Sequence, residues 1–146
     1  MKKESDIFKA LADETRLRVL NLLIEANESL CVCELVDALK LPQYHVSRHL
    51  QVLRNVDLVD VEKRGTWGYY VVRRDVPQNK LLFSFLKGFA VGERFAEDAK
   101  NLRLRLLLRE EGKCVVGFIP ETKLARMIQT KKMAPVQGRV LKPSQK

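Results

Sequence analysis

Apolar side chains recur along the first half of the chain at helical spacing, interrupted by short polar stretches. Ile7, Phe8 and Leu11 mark a short first helix. Asp13 stands where an N-cap opens a second, with Leu17, Leu20, Leu23 and Ile24 on one face. Ser29 is the expected cap of a third helix, whose inward side carries Leu35, Ala38 and Leu39. Leu41-Pro42 ends that helix, because a residue before proline avoids the helical region. A fourth helix is expected from about Gln43 to Asn55, with Val46, Leu50 and Leu53 inward at i, i+4 and i+7. Two helices joined by a tight turn, the second polar on its outer face, form a helix-turn-helix. The pattern then becomes β-rich. Residues 58–63 and 69–72 flank a Gly-containing turn, which predicts a hairpin. A hairpin after a helix-turn-helix is a wing, and Asp75-Val76-Pro77 closes the unit.

Beyond the wing, Leu82, Phe85, Phe89, Ala96, Ala99, Leu102 and Leu106 predict one long helix over residues 78 to about 110. Gly88, Gly92 and Ala96 are small residues four apart, so a second helix could approach there, although the glycines weaken the helix. A long amphipathic helix on a small domain predicts a dimer interface. After Gly112 the pattern fades into the apolar patch 113–119 and a polar stretch, 121–146, with seven Lys/Arg, one Glu and two prolines. The expected fold is therefore mainly α with a small β-hairpin wing: a winged helix-turn-helix dimerising through terminal helices. Residues 1–111 form the DNA-binding and dimerisation domain, and 112–146 a flexible basic extension.

A length of 146 residues suits one modest domain. No apolar run approaches the roughly 20 residues of a membrane span, and residues 1–6 lack the apolar stretch of a secretory signal. The expectation is a cytoplasmic protein without a membrane partner. Three cysteines, an odd number, argue against a disulfide framework there. The net charge of +9 is uneven: residues 1–75 hold 12 basic and 12 acidic side chains, and residues 76–146 hold 15 and 6. A basic balance favours polyanions, as it also favours solubility. The DNA-reading half is neutral, so local arrangement matters more than the total.

With the inward positions of the fourth helix fixed, Tyr44, Ser47, Arg48 and Gln51 point outward. Gln43 lies at the N-terminal end, which reaches base edges in this motif. Gln can pair with adenine and Arg with guanine, and Ser can meet bases or phosphate. His45 and His49 lie on the flank; a hydrogen-bonded, partly buried histidine is an equal alternative for His49. Arg64 at the wing turn could enter a minor groove or touch phosphate, or be a plain surface charge.

One helix ahead stand Cys31 and Cys33. Soft thiolates select soft acceptors, and a thiol near a helix N-terminus ionises more readily. Two buried small hydrophobes are the alternative reading. On a regular helix, residues i and i+2 lie about 200° apart. Chelation by both would then distort the first turn of the third helix and loosen the DNA-reading helix behind it.

This layout resembles the ArsR/SmtB family of dimeric winged-helix repressors. The likeness rests on Leu11-Ala12-Asp13-Glu14-Thr15-Arg16-Leu17-Arg18-Val19-Leu20, Leu30-Cys31-Val32-Cys33-Glu34-Leu35, Val46-Ser47-Arg48-His49-Leu50 with Leu53-Arg54, and Gly65-Thr66-Trp67-Gly68-Tyr69-Tyr70. It covers roughly residues 6–110 and implies a homodimer on double-stranded operator DNA that lets go on binding a toxic metal or metalloid. Tyr44 and His45 depart from the Ser-Thr pair usual there, so the operator sequence does not carry over. Zinc, nickel and cobalt sensors of the family place Asp and His on the long C-terminal helix, and residues 77–111 hold no His. Cadmium and lead sensors add cysteines from the N-terminal arm, and none precedes Cys31. The remaining likeness is to arsenic and antimony sensors, which often add a third cysteine where this chain has Val36. The inducer implied is arsenite or antimonite, inorganic or methylated, held by Cys31 and Cys33. Cys114 is either the third ligand, folding back or reaching across the dimer, or a spare thiol.

Other functions stay open at this point. A thiol-redox or persulfide sensor would use the same cysteines, although an oxidised Cys-x-Cys ring is strained. A sequence-indifferent DNA binder would use the basic tail. An enzyme with Cys33 as nucleophile lacks a placed base and a phosphate loop, so no enzyme is expected.

Overall fold

A computed structural model describes residues 3–133. Helix α1 (Glu4–Leu11) leads into α2 (Glu14–Ala26), the central helix of the core, with Val19, Leu20, Leu22, Leu23 and Ile24 buried. Asp13 caps α2 as expected: its carboxylate accepts the Arg16 N–H at 3.0 Å, satisfying one of the free amides of the first turn. Asn27, left-handed at φ 54°, ends the helix.

The next element is a two-residue strand, β1 (Leu30–Cys31), too short for alternation to reveal in sequence. It displaces Ser29 from the expected capping role. Helix α3 (Val32–Leu39) takes Cys31 as its N-cap residue, extended at φ −88° and ψ 162°, and the Cys31 N–H donates to Glu34 Oε1 at 3.1 Å. Lys40, at φ 57°, closes α3, and Pro42 opens α4 (Gln43–Asn55). Val46, Leu50 and Leu53 of α4 are fully buried, and α4 packs on α2 and α3. The helix-turn-helix is thus α3–α4.

Strands β2 (Val59–Arg64) and β3 (Trp67–Val72) form the wing, in register from Val59 opposite Val72 to Arg64 opposite Trp67. The turn is Gly65-Thr66, with Gly65 at φ +63°, a left-handed conformation that glycine adopts most readily and that two-residue hairpin turns call for. Strand β1 pairs antiparallel with β3, giving the order β1-β3-β2 and setting Cys31 opposite Tyr69.

The single long helix expected after the wing is two: α5 (Pro77–Phe89) and α6 (Glu93–Leu106). Gly92 at φ +124° and ψ 174° makes the break, in a region essentially closed to side chains with a Cβ. A Cβ added at Gly88 would meet nothing within 4 Å, so no second helix rests on it among the described residues. Helix α5 buries Phe83 and Leu86. Its buried Asn79 amide donates to Asp57 O and Arg73 O, both at 2.9 Å, fixing α5 to the base of the wing. Phe85 and Phe89 face outward, stacked at 4.9 Å. Helix α6 lies along α3, with Asp98 gripping Arg18 of α2 through two bonds of 2.8 and 2.9 Å.

The expected flexible extension from residue 112 does not hold over residues 113–132. The chain folds back, buries Cys114, and forms α7 (Glu121–Lys132), with Leu124 buried and Glu121 paired to Lys40 at 3.2 Å. Basic composition suggested a solvated tail, yet a few apolar anchors suffice to seat the segment. The rest of that stretch, 134–146, lies outside the described residues. Among the described residues no helix is long and apolar enough to cross a membrane.

Candidate thiol site and nucleic-acid interface

Three cysteines from distant parts of the chain meet in one buried cluster. Cys31 Sγ lies 3.0 Å from Cys33 Sγ, and Cys33 Sγ lies 3.3 Å from Cys114 Sγ. All three sulfurs are within 4.8 Å of one another, and all three residues are buried. Cys31 ends a strand while Cys33 lies in the first turn of α3, so the two do not share a regular helix. The expected 200° divergence is absent, and with it the need to distort α3. Cys114 comes from the same chain, folding back rather than reaching across a dimer.

The cluster is walled by groups that sequence reading passed over. Tyr69 of β3, 2% exposed, accepts the Cys114 N–H on its hydroxyl at 3.0 Å. Glu34, fully buried, is held by Arg109 through bonds of 2.8 Å to each carboxylate oxygen. Arg109 also donates to Ser29 O at 2.8 Å and Gly112 O at 3.2 Å, tying β1, α3 and the returning chain together. Arg105, 1% exposed, pairs with Asp37 at 2.6 Å and donates to Gly117 O at 2.9 Å. The bidentate Arg109–Glu34 pair holds because both charges are matched inside the protein. The sequence carried one hint: Arg105 and Arg109 stand four apart, although α6 ends at Leu106 and Arg109 lies in the turn beyond it.

These neighbours divide the thiols electrostatically. Hydrogen bonding from Cys31 and Cys33 draws the Cys114 thiol well below its ordinary range, and the Arg105 charge adds to this. The same sharing pushes Cys33 up to about 12 and raises Cys31 further, with burial acting the same way. One thiolate shared by two thiols is the state that a buried trio reaches most easily. The helix N-terminus, expected to ionise Cys31 and Cys33, is outweighed by burial and by this sharing.

The residues expected to read DNA are solvent-facing on α4. Gln43, Tyr44, His45, Arg48 and Gln51 are exposed, and Ser47 is half-buried. Arg48 sits 5.4 Å from the Tyr44 ring centre, and Gln51 donates to Asn55 at 2.9 Å. His49 is half-buried, with Nδ1 3.3 Å from an Arg16 guanidinium nitrogen. Arg64 stands at the wing turn, bonded to Glu62 at 3.0 Å, and its guanidinium lies 4.8 Å from the Tyr69 ring centre. The geometry separates two places: an exposed polar helix face with a wing, and a dry thiol cluster behind it.

A helix-turn-helix with a β-hairpin wing after it defines a winged-helix regulator, and the comparisons agree. Residues 13–61 match the family described as bacterial regulatory protein, arsR family. An uncharacterized HTH-type transcriptional regulator of Methanocaldococcus jannaschii is 47% identical over 73 residues, half of this chain and 81% of that protein. The arsenical resistance operon repressor of Escherichia coli K12 is 46% identical over 71 residues, covering 49% of this chain and 60% of that repressor. Among solved structures, the homodimeric winged helix-turn-helix DNA-binding domain of a possible ArsR-family regulator from Mycobacterium bovis aligns with a TM-score of 0.51. It is 28% identical over 59% of this chain and 76% of that one. The chain belongs to the arsR family of bacterial regulatory proteins.

Proposed function

We propose that this protein is a transcriptional repressor that grips operator DNA as a homodimer and lets go when Cys31, Cys33 and Cys114 take up trivalent arsenic or antimony. The carrying observation is the convergence of three buried sulfurs within 4.8 Å. Metal–thiolate bonds of about 2.3 Å put sulfurs roughly 3.3–3.8 Å apart around one centre, close to the 3.0 and 3.3 Å that separate Cys33 from Cys31 and Cys114. Trivalent arsenic supplies covalent bonds to soft thiolates. Each As–S bond replaces an As–OH, whose hydroxyl leaves as water, with the thiol proton at two of the sulfurs and with a solvent proton at the thiolate. Three thiols match the three bonds of inorganic arsenite; a methylated arsenical would leave one sulfur unbonded. The E. coli relative's name, an arsenical resistance operon repressor, supports the same class.

On this reading Gln43, Tyr44, His45, Ser47, Arg48, His49 and Gln51 enter or flank the major groove, and Arg64 reaches DNA from the wing. Residues 1–111 carry DNA binding and dimerisation, and the returning segment completes the sensor. The dimer forms through Phe8, Leu81, Phe85 and Phe89, large apolar side chains left exposed on α1 and α5. The homodimeric M. bovis domain supports that assembly.

The test is binding of the wild type and the Cys31→Ser, Cys33→Ser and Cys114→Ser variants to a labelled duplex from upstream of its own gene. Arsenite, methylarsenite and cadmium are added in turn. Each variant should hold DNA like the wild type and ignore arsenite at a concentration that frees the wild type. A triple variant that still leaves its promoter on arsenite addition ends the proposal. Cys114→Ser responding normally removes Cys114 from the site.

A second reading has one observation behind it: Cys33 and Cys114, 3.3 Å apart, can join without the strained Cys-x-Cys ring. Their two thiol hydrogens and two electrons would pass to a peroxide, which leaves as two waters. Release by peroxide alone, surviving Cys31→Ser, would favour it.

A further inference from the structure

Tyr69 touches the thiol cluster and the wing through one side chain. Its backbone lies opposite Cys31 in the β1–β3 ladder, and its hydroxyl accepts the Cys114 N–H at 3.0 Å. Its ring lies 4.8 Å from the Arg64 guanidinium and 5.8 Å from that of Arg109. Arg64 is the last residue of β2, at the tip of the wing. Opposite it, Trp67 packs on the returning chain: a Cβ added to Gly117 would come within 2.9 Å of the Trp67 ring. Residues 114 and 117 are thus seated on β3 at the end that carries the wing tip.

We propose that Tyr69 is the positioning residue through which sulfur capture at Cys114 reaches the wing. The proposal rests on the function proposed above and names its route, one that bypasses the first turn of α3. Bonds from one centre to three sulfurs tie the Cys114 backbone to β1 and α3. The Cys114 N–H moves with that backbone. Tyr69, 2% exposed, cannot trade a lost hydrogen bond for water without cost. Its ring shifts instead, and Arg64 shifts with it. A packed contact has few intermediate arrangements, so a small movement at the sulfurs is passed on rather than absorbed. Tyr69 forms no bond to the metalloid; it acts through the Cys114 amide alone.

Tyr69→Phe isolates this link, because it keeps the ring, the strand and all three sulfurs and removes only the hydroxyl. The full-length variant is compared with the wild type in arsenite uptake, followed by thiolate–arsenic absorbance, and in affinity for the promoter duplex with and without arsenite. The emission of Trp67, the one tryptophan of the chain, reports the wing directly. The variant should take up arsenite within about threefold of the wild type and hold DNA equally well without it. Its affinity ratio with and without arsenite should shrink from the tens-fold range usual for coupled sites to about threefold or less. The arsenite-induced change in Trp67 emission should vanish too. A variant that is merely less stable, with the ratio and the emission change intact, overturns the proposal while leaving the repressor reading in place. A wild type that neither takes up arsenite nor releases DNA overturns both.

Gly117→Ala tests the contact from the other side. It strains a φ of +76° and pushes against Trp67 without touching Tyr69; because the Gly117 backbone also bonds to the Cys114 sulfur, arsenite uptake is measured beside the ratio and should stay within about threefold of the wild type. It should reduce the affinity ratio by about threefold or more, and an unchanged ratio and Trp67 response would count against the segment's seat on the wing.

Discussion

His49 occupies the seam between the DNA-reading helix and α2, where its Nδ1 accepts from Arg16. An accepting Nδ1 leaves the proton on Nε2, so a second proton would break the contact. Burial holds the imidazole below its ordinary value, and the nearby Arg16 and Arg48 charges add to this against the opposing pull of Asp13. A histidine depressed in the folded state stays neutral while the unfolded chain takes up a proton. Its contribution is therefore complete above about pH 6.5 and is lost as pH falls through that value toward the folded one. His49→Gln keeps an acceptor for Arg16 and cannot titrate. In urea melts from about pH 7.5 down to 5, the wild type should lose stability relative to His49→Gln; parallel curves would show that the contact carries no proton linkage. At this scale the sequence was legible where a residue's chemistry speaks alone: Asp13 as a cap, Cys31 and Cys33 as a thiol pair, the outward face of α4. It was silent on Tyr69, Glu34, Arg105 and Arg109, whose roles arise only when residues 45 to 75 positions apart are brought together.

Between α5 and α6, a single backbone conformation redirects the chain. The apolar spacing from Leu82 to Leu106 is continuous enough to read as one helix, and periodicity has no term for a residue at φ +124°. Helix α5 turns Phe83 and Leu86 into the core and leaves Phe85 and Phe89 outside. No neighbour crowds the Cα of Gly92, so Gly92→Ala meets only the backbone penalty, about 1–3 kcal/mol for a residue outside its allowed region. Urea denaturation should show a loss of that size, with arsenite uptake by the distant sulfurs intact in the folded protein. No loss would mean that the junction readily adopts another conformation. The wing and the helix-turn-helix were legible because hairpin turns and proline leave local marks. Strand β1 and helix α7 left none: one is two residues long, and the other hides a single buried leucine, Leu124, in a basic stretch.

For the whole molecule, the surface left uncovered is the outer face of α1 and α5. Phe8 is 65% exposed, Leu81 78%, Phe85 59% and Phe89 60%, an apolar area that none of the described residues covers. If two copies cover it, each brings one DNA-reading helix, and DNA contacts double with the dimer. Phe89→Glu places a charge on each side of that symmetric contact. Because Phe89 is exposed in the single chain, the fold itself should change by no more than about 0.5 kcal/mol. Sedimentation should show the mass falling from two chains to one. Promoter affinity should drop about 100-fold or more, since a monomer engages one half-site. The slope of log affinity against log salt should fall to about half, because half the phosphate contacts remain. That slope separates the explanations: a variant that merely damaged the DNA-reading face would stay dimeric, and a monomer retaining full affinity and slope would show that one chain suffices for the operator.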